Sequence, residues 1–174
     1  MAGSLLRRFH AAAPPTRSDD YRAAQIRRLE LRIERAREGL LSAEEVQFAR
    51  ERARFLAEMP PPSLVPCHRD WQPRNWLVDS DGRLTAIDFE NARLAPWHDD
   101  LHRLWWDEWA GRPDLRAAFR EGYGDSWNDA EIDQMLAASE IRHLFTIVWA
   151  DQHDDNAYGD FARRSLHQAM STGT

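Results

Sequence analysis

The apolar residues in the first third of the chain recur at helical spacing. Steps of three and four residues separate the members of one stripe, which are Ile26, Leu29, Ile33, Ala36 and Leu40. Such a stripe, with arginines and glutamates around it, predicts an amphipathic helix capped by Ser18 or Asp19. Residues 4–12 predict a shorter helix before it. The capping box Ser42-Ala43-Glu44-Glu45 predicts a third helix, which ends at Pro60. Residues 1–60 are therefore expected to be helical.

The period of the pattern shortens between residues 64 and 90. Extended runs at 64–67, 76–78 and 84–87 predict short strands, and Asp79-Ser80-Asp81-Gly82 predicts a hairpin turn between the last two. The helical pattern returns from 96 to 171, where the helices are expected near 101–109, 115–119, 129–150 and 158–170. The predicted fold class is α+β, mostly helical, with a small β-hairpin, and the predicted organisation is one domain over residues 1–174.

Composition limits the kinds of partner that this chain can have. Apolar residues make up 43% and charged residues 30%, which is typical of a globular protein with its own core. A formal net charge of −6 gives no support for nucleic-acid binding. No apolar run approaches the ~20 residues that span a bilayer, so we expect no membrane contact. The single Cys67 excludes an intramolecular disulfide and favours a reducing, cytoplasmic location.

The segment from 68 to 90 carries the residues that point to chemistry. It has the pattern H-x-D-x-x-x-x-N over His68–Asn75, followed by Ile87-Asp88-Phe89-Glu90. Asp70 is a candidate to orient a substrate hydroxyl and accept its proton. Asn75 and Asp88 offer the oxygen ligands that Mg²⁺ prefers, as phosphoryl transfer requires. Asp and Asn are also common turn-formers, so the same residues have a purely structural explanation.

Together these motifs resemble the C-terminal lobe of the aminoglycoside phosphotransferase family, whose fold is similar to that of protein kinases. The matching segments are His68–Asn75, Ile87–Glu90, Asp99-Asp100-Leu101 and, at the start, Ala2–His10. The resemblance implies ATP or GTP with Mg²⁺ as cofactor. It also implies a small-molecule acceptor that is phosphorylated on a hydroxyl and is aminoglycoside-like or otherwise aminated.

The resemblance also assigns roles to single residues. Asp70 corresponds to the catalytic aspartate, with His68 and Arg69 holding its loop. Asn75 and Asp88 correspond to the magnesium and nucleotide ligands. Asp100 resembles a buried aspartate that braces the catalytic loop by accepting backbone hydrogen bonds.

The chain departs from the family in what precedes the motif. All 23 basic residues are arginine, and the region before His68 contains no glycine-rich loop. The lysine and loop that clamp nucleotide phosphates in kinase-like enzymes are therefore not in this sequence. We expect a truncated enzyme that is inactive alone and that binds a missing N-terminal lobe, or itself, through the interlobe face. A non-catalytic remnant that binds a partner is the alternative.

Acidic residues suggest where a cationic acceptor would bind. The candidates follow the helices that a substrate cleft would use, and are Asp107, Glu108, Asp151, Asp154 and Asp155. Trp71 and Trp106 are candidates to line the cleft. A further alternative is a zinc hydrolase, in which His98 and His102 take the spacing of an H-x-x-x-H site and an aspartate between 151 and 155 is the third ligand.

Overall fold

A computed structural model describes residues 1–18, 20–124 and 127–172. The chain divides into two compact units. The first unit comprises Met1–Ser18 and Pro62–Asp129, and the second comprises Asp19–Pro61 and Ala130–Thr174. The assignment of residues 1–174 to one domain stays a prediction.

Helices dominate the described chain, as the apolar pattern predicts. The α-helices are α1 (Ala2–His10), α2 (Tyr21–Arg35), α3 (Ala43–Glu58), α4 (Pro113–Tyr123), α5 (Asp129–Gln152) and α6 (Asn156–Thr172). The strands are β1 (Thr16–Arg17), β2 (Ser63–Cys67), β3 (Trp76–Val78), β4 (Leu84–Ala86) and β5 (Arg93–Pro96). Short 3₁₀ turns cover Pro73–Asn75 and Trp97–Asp100, and a π-helical turn covers Leu104–Glu108. The α+β, mostly helical fold class is confirmed.

Two small antiparallel sheets frame the motif in the first unit. One has the strand order β1-β2-β5 and pairs Val65 with Ala95. The other is the predicted hairpin, in which β3 pairs with β4 and Trp76 lies opposite Ala86. The Asp79 carboxylate closes its turn by accepting the backbone N–H of Asp81 at 2.9 Å and that of Arg83 at 2.8 Å. The hairpin prediction is therefore confirmed, whereas β1 and β5 were not predicted.

Helix α1 packs closely against the end of α4 in the first unit. A Cβ at Gly3 would lie 2.7 Å from the backbone nitrogen of Tyr123, so no larger residue fits there without movement of the backbone. Arg7 then caps α4 by donating hydrogen bonds to the carbonyl oxygens of Tyr123, at 3.1 Å, and Gly124, at 2.8 Å. Tyr123 is thereby held at a fixed place beside α1.

The second unit is a helical bundle with its own apolar core. That core is formed by Leu29, Ala49, Ala53, Ile141, Leu144 and Val148. The capping box of α3 is confirmed, because Ser42 and Glu45 exchange side-chain and backbone hydrogen bonds. Helix α2 begins after Asp20, so Ser18 is not its cap, and Asp19 lies outside the described residues. Helix α2 ends at Arg35, so the predicted apolar stripe extends past the end of the helix. Leu40, the last residue of the stripe, still packs against the core.

No helix in the described ranges combines the length and apolarity that crossing a membrane requires.

Candidate active site

The loop between β2 and β3 turns back on itself so that its polar side chains meet at Asp70. Carboxylate oxygen Oδ2 of Asp70 accepts hydrogen bonds from Asn75 Nδ2 at 2.8 Å and from Arg74 Nη2 at 2.9 Å. Oδ1 accepts a hydrogen bond from the Gln72 amide. Asn75 Nδ2 also donates to the backbone carbonyl of Asp70 at 2.8 Å, which closes the loop over the Pro73–Asn75 turn. The loop thus fixes Asp70 and Asn75 relative to each other.

His68 ties this loop to the segment that carries Asp88. Its fully buried ring places Nε2 2.8 Å from the carbonyl oxygen of Ile87, and Nδ1 3.3 Å from the backbone N–H of Asp70. A carbonyl only accepts and an amide N–H only donates, so the proton lies on Nε2 and Nδ1 is the acceptor. His68 is therefore a neutral ring that links two backbone segments, which agrees with a holding role.

The hairpin places Asp88 next to Asn75. Beyond the last paired residues of β3 and β4, the N–H of Ile87 donates to the carbonyl oxygen of Asn75 at 3.0 Å, and Asp88 follows directly. Asp88 has a φ of 66° and Arg69 a φ of 68°, a backbone region that costs most L-residues free energy. Such strain persists where neighbouring hydrogen bonds dictate the conformation, and it is concentrated at functional sites.

The charge around Asp70 keeps its carboxylate ionised. Burial alone would raise the pKa of Asp70, but the hydrogen bonds from Arg74, Asn75 and Gln72 and the positive charge of Arg74 outweigh it and lower the pKa. Asp70 is therefore a carboxylate over the physiological pH range, the protonation state that can orient or deprotonate a hydroxyl.

The donor set at Asn75 and Asp88 fits a magnesium ion that shares its coordination with phosphate and water. Asn75 uses its amide nitrogen for both hydrogen bonds to Asp70, so its amide oxygen remains for a cation. Asp88 is exposed at the end of the hairpin. An amide oxygen and one carboxylate match the few protein ligands that Mg²⁺ takes in nucleotide sites.

Asp100 lies beneath the loop and holds its backbone. Its carboxylate accepts the backbone N–H of His68 at 3.0 Å and the backbone N–H of Arg69. His10 Nε2 lies 2.9 Å from Asp100 Oδ2, and His10 Nδ1 lies 2.7 Å from the hydroxyl of Tyr123. This chain of contacts connects α1 and α4 to the motif. These contacts are the ones that a brace requires, and its effect on stability stays a prediction.

The zinc alternative gains no support from the part of the chain that the structure describes. Within the described ranges, one group of His, Cys, Asp or Glu has three ligand atoms within 4.8 Å of one another, and it is His10, Cys67 and Asp100. Neither His98 nor His102 belongs to that group. Burial raises the pKa of the Cys67 thiol, whereas metal binding requires a thiolate. The group is therefore better explained by the hydrogen bonds of Asp100.

The five candidate acceptor-binding acids lie in different units and differ in their contacts. Asp107 and Glu108 are exposed in the first unit, and Asp154 is exposed in the second. Asp151 accepts hydrogen bonds from the Arg37 guanidinium at 2.9 and 3.2 Å. Asp155 accepts the backbone N–H of Tyr158 at 3.1 Å, a contact in the first turn of α6. The role of all five in acceptor binding stays a prediction.

The prediction that Trp71 lines the cleft is wrong. Its side chain is 1% exposed and packs against the rings of His68 and Trp76, so it supports the loop from below. Trp106 is half-buried, and its role in acceptor binding stays a prediction.

The sequence interpretation missed two apolar residues beside the motif. Leu77 and Ile87 are 54% and 39% exposed. Leu77 lies opposite Thr85, and Ile87 is two residues further along the chain, just past the end of β4. Because the N–H of Ile87 still bonds to the carbonyl of Asn75, the strand alternation continues and puts both side chains on one face of the hairpin. The signal for Leu77 is the run Trp76-Leu77-Val78, which is apolar on both faces of a strand that cannot bury both.

Comparison with known proteins gives this geometry a context. Residues 1–137 match the family model described as the phosphotransferase enzyme family, APH. No curated protein sequence matches the chain significantly.

Solved structures share the fold over almost all of this chain. Choline kinase LicA from Streptococcus pneumoniae superposes with a TM-score of 0.69 at 18% identity, over 97% of this chain and 60% of that one. A choline/ethanolamine kinase family protein from Mesorhizobium loti gives 0.69 at 21% identity, over 98% and 59%. Wild-type aminoglycoside 2'-phosphotransferase-IIIa, solved with GDP, gives 0.71 at 15% identity, over 99% and 63%. The chain thus spans about three fifths of the length of these structures.

Proposed function

The chain belongs to the phosphotransferase enzyme family, and we propose that it is the catalytic lobe of a nucleotide-dependent small-molecule kinase. The proposed reaction moves the terminal phosphate of ATP or GTP to a hydroxyl of an aminated acceptor. One observation carries the proposal. The Asn75 side chain bonds to Asp70 while its backbone carbonyl accepts the N–H of Ile87, the residue before Asp88, so the backbone brings Asp88 close to the Asp70–Asn75 pair.

Asp70 acts on the acceptor hydroxyl. As the hydroxyl oxygen bonds to the terminal phosphorus, the bond from phosphorus to the bridging oxygen breaks and the nucleoside diphosphate leaves with the electron pair. The hydroxyl proton passes to the Asp70 carboxylate. The hydrogen bonds that Asp70 receives hold its carboxylate in one orientation before the acceptor arrives, and positioning supplies much of the catalysis in this reaction class.

Asn75 and Asp88 would hold the metal, and the hairpin face would hold the nucleotide base. Mg²⁺ bound there would supply positive charge to the phosphate oxygens. The amide oxygen of Asn75 and the carboxylate of Asp88 would be its protein ligands. Leu77 and Ile87 offer the flat base an apolar surface on the same hairpin, beside the metal ligands. Proteins with a similar structure have been solved in complex with AMP, ADP and GDP, which supports a nucleotide cofactor.

The acceptor is proposed to be a cationic small molecule. Choline kinase and aminoglycoside phosphotransferase are among the proteins with this fold, and their named substrates carry cationic nitrogen. Exposed carboxylates recognise such groups through charge-assisted hydrogen bonds. Asp107 and Glu108, which lie in the same unit as Asp70, are the first candidates. Asp151 and Asp155 already hold other groups, and a role of Asp154 stays a prediction.

A nucleotide-binding lobe completes the proposed enzyme. The sequence has no lysine to pair with the nucleotide phosphates. Leu77, Val78 and Leu94 are each at least half exposed in the first unit, and exposed apolar side chains of this size support an interface. We expect the isolated chain to self-associate through such side chains and to transfer no phosphate. A non-catalytic remnant would also self-associate, and it would also transfer no phosphate because it lacks the same lysine.

A transfer assay with the second lobe supplied separates these functions. The nucleotide-binding lobe of a structurally similar choline kinase is fused to this chain, and radiolabelled ATP is offered with choline or an aminoglycoside. We expect labelled product from the fusion, none from the isolated chain, and none from a fusion that carries Asp70→Asn. A fusion that binds nucleotide but phosphorylates no acceptor would favour the non-catalytic remnant.

A further inference from the structure

Arg74 places a positive charge on the candidate catalytic carboxylate. It lies in the Pro73–Asn75 turn, between Asp70 and the metal ligand Asn75. Its Nη2 is 2.9 Å from Asp70 Oδ2, the same oxygen that Asn75 Nδ2 contacts at 2.8 Å. A guanidinium therefore contacts the oxygen that is the candidate to receive the hydroxyl proton.

The ion pair between Arg74 and Asp70 is easy to exchange. The Arg74 side chain is 66% exposed, whereas that of Asp70 is 18% exposed. Pairs with a largely hydrated partner contribute little net stability, because water and salt compete for the charge. The Arg74 guanidinium can therefore move to another anion while the Asp70 carboxylate stays in place.

The other two arginines of this region hold protein groups instead. Arg69 donates through Nε to Asp99 at 3.3 Å, and its side chain is only 17% exposed. Arg103 donates to the amide oxygen of Gln72 at 3.4 Å. Arg74 thus differs from them, because its exposed guanidinium contacts the candidate catalytic carboxylate.

We propose that Arg74 is a phosphate-binding residue, and that its guanidinium exchanges between Asp70 and the terminal phosphate of the nucleotide. This inference rests on the proposed function. The planar guanidinium can meet two phosphate oxygens at once, and an arginine supplied in cis stabilises charge in phosphoryl transfer. In a chain without lysine, Arg74 also places a positive charge directly on the candidate catalytic carboxylate.

The exchange couples phosphate binding to the availability of Asp70. While Arg74 contacts Oδ2, the acceptor hydroxyl competes with it for that oxygen. When the guanidinium turns to the phosphate, Oδ2 becomes available for the hydroxyl. The site would therefore bind phosphate first and engage the acceptor hydroxyl second.

Binding of tripolyphosphate to the chain tests the proposal without any need for turnover. Calorimetric titration of the unmodified chain should show weak binding, which Arg74→Gln weakens at least about tenfold, the effect of one lost charged contact. Arg83→Gln is the matched control, because Arg83 is also exposed and also pairs with an aspartate, Asp81, at 3.2 Å. It should bind tripolyphosphate like the unmodified chain.

A double-mutant cycle distinguishes exchange from a general effect of charge. Asp70→Asn removes the competing carboxylate, so it should tighten tripolyphosphate binding severalfold in the presence of Arg74 and have little effect in an Arg74→Gln background. Equal tightening in both backgrounds would overturn the exchange. Equal binding by the unmodified chain and Arg74→Gln, or no detectable binding by any variant, would overturn the phosphate site.

The fusion assay keeps this inference separate from the proposed function. If the double-mutant cycle with tripolyphosphate gives the expected result but the fusion phosphorylates no acceptor, then Arg74 binds phosphate and the proposed kinase activity is wrong. If the fusion is active and Arg74→Gln leaves both its KM for ATP and its kcat unchanged, the proposed function stands and the role of Arg74 is wrong.

Discussion

Replacement of Asp100 by alanine should destabilise the first unit strongly. The side chain is almost fully buried, and its two oxygens accept hydrogen bonds from the backbone N–H groups of His68 and Arg69 and from His10 Nε2. Each buried donor that loses its partner costs about 1–3 kcal/mol, so the two backbone donors alone predict a loss of about 2–6 kcal/mol. That is a large share of the roughly 5–15 kcal/mol by which domains are stable.

Urea unfolding monitored by tryptophan fluorescence is a suitable assay, because all but one of the eight tryptophans lie in the first unit. Asp114→Ala is the matched control, since Asp114 belongs to the same unit but pairs with Arg112 on the surface. The control should leave the urea midpoint unchanged. An Asp100→Ala midpoint that is also unchanged would refute the bracing role, and with it the explanation of how α1 and α4 support the loop at 68–75.

Three further predictions concern single carboxylates. In the fusion, Asp88→Ala should abolish turnover and leave the circular dichroism spectrum unchanged, so retained activity would remove Asp88 from the mechanism. Asp70→Asn should lower kcat by about 10²-fold or more, as expected for a lost general base, and a near-normal kcat would exclude that role. Burial raises the pKa of Glu140, and the charge of Arg52, whose Nε lies 3.8 Å from Oε2, offsets this only in part. The folded state therefore binds a proton more tightly than the unfolded one and loses stability as pH rises through the raised pKa. Glu140→Gln should therefore raise the melting temperature at neutral pH and flatten its pH dependence, and an unchanged pH profile would contradict this reasoning.

Features with a local signal could be predicted from the sequence. The capping box at Ser42 and the turn at Asp79 each depend on a few adjacent residues, and both are present in the structure. The motif at 68–90 indicates the family in the same way, because its residues keep fixed separations along one short segment. Strand β5 carries no such signal, because Arg93–Pro96 does not alternate and its pairing is decided by β2.

The residues that support the site could not be identified from the sequence, because they are far along the chain from the groups that they contact. His10 contacts Asp100 from a position 90 residues away. The available signal was its spacing, since Gly3, Leu6 and His10 form one buried stripe of α1. Trp71 was misassigned for a related reason. A position inside a catalytic-looking loop does not reveal whether a ring points into the cleft or into the core beneath it.

The most direct test of the central claim is to locate the metal–nucleotide site on the chain itself. Mn²⁺ with ADP is added to isotopically labelled protein, and paramagnetic broadening of the amide resonances is measured by NMR. The account predicts that broadening begins at the side-chain amide of Asn75 and the backbone amide of Asp88, and that Asp88→Ala abolishes it. Broadening centred on His98 and His102, or on the acidic residues at 151–155, would contradict the account.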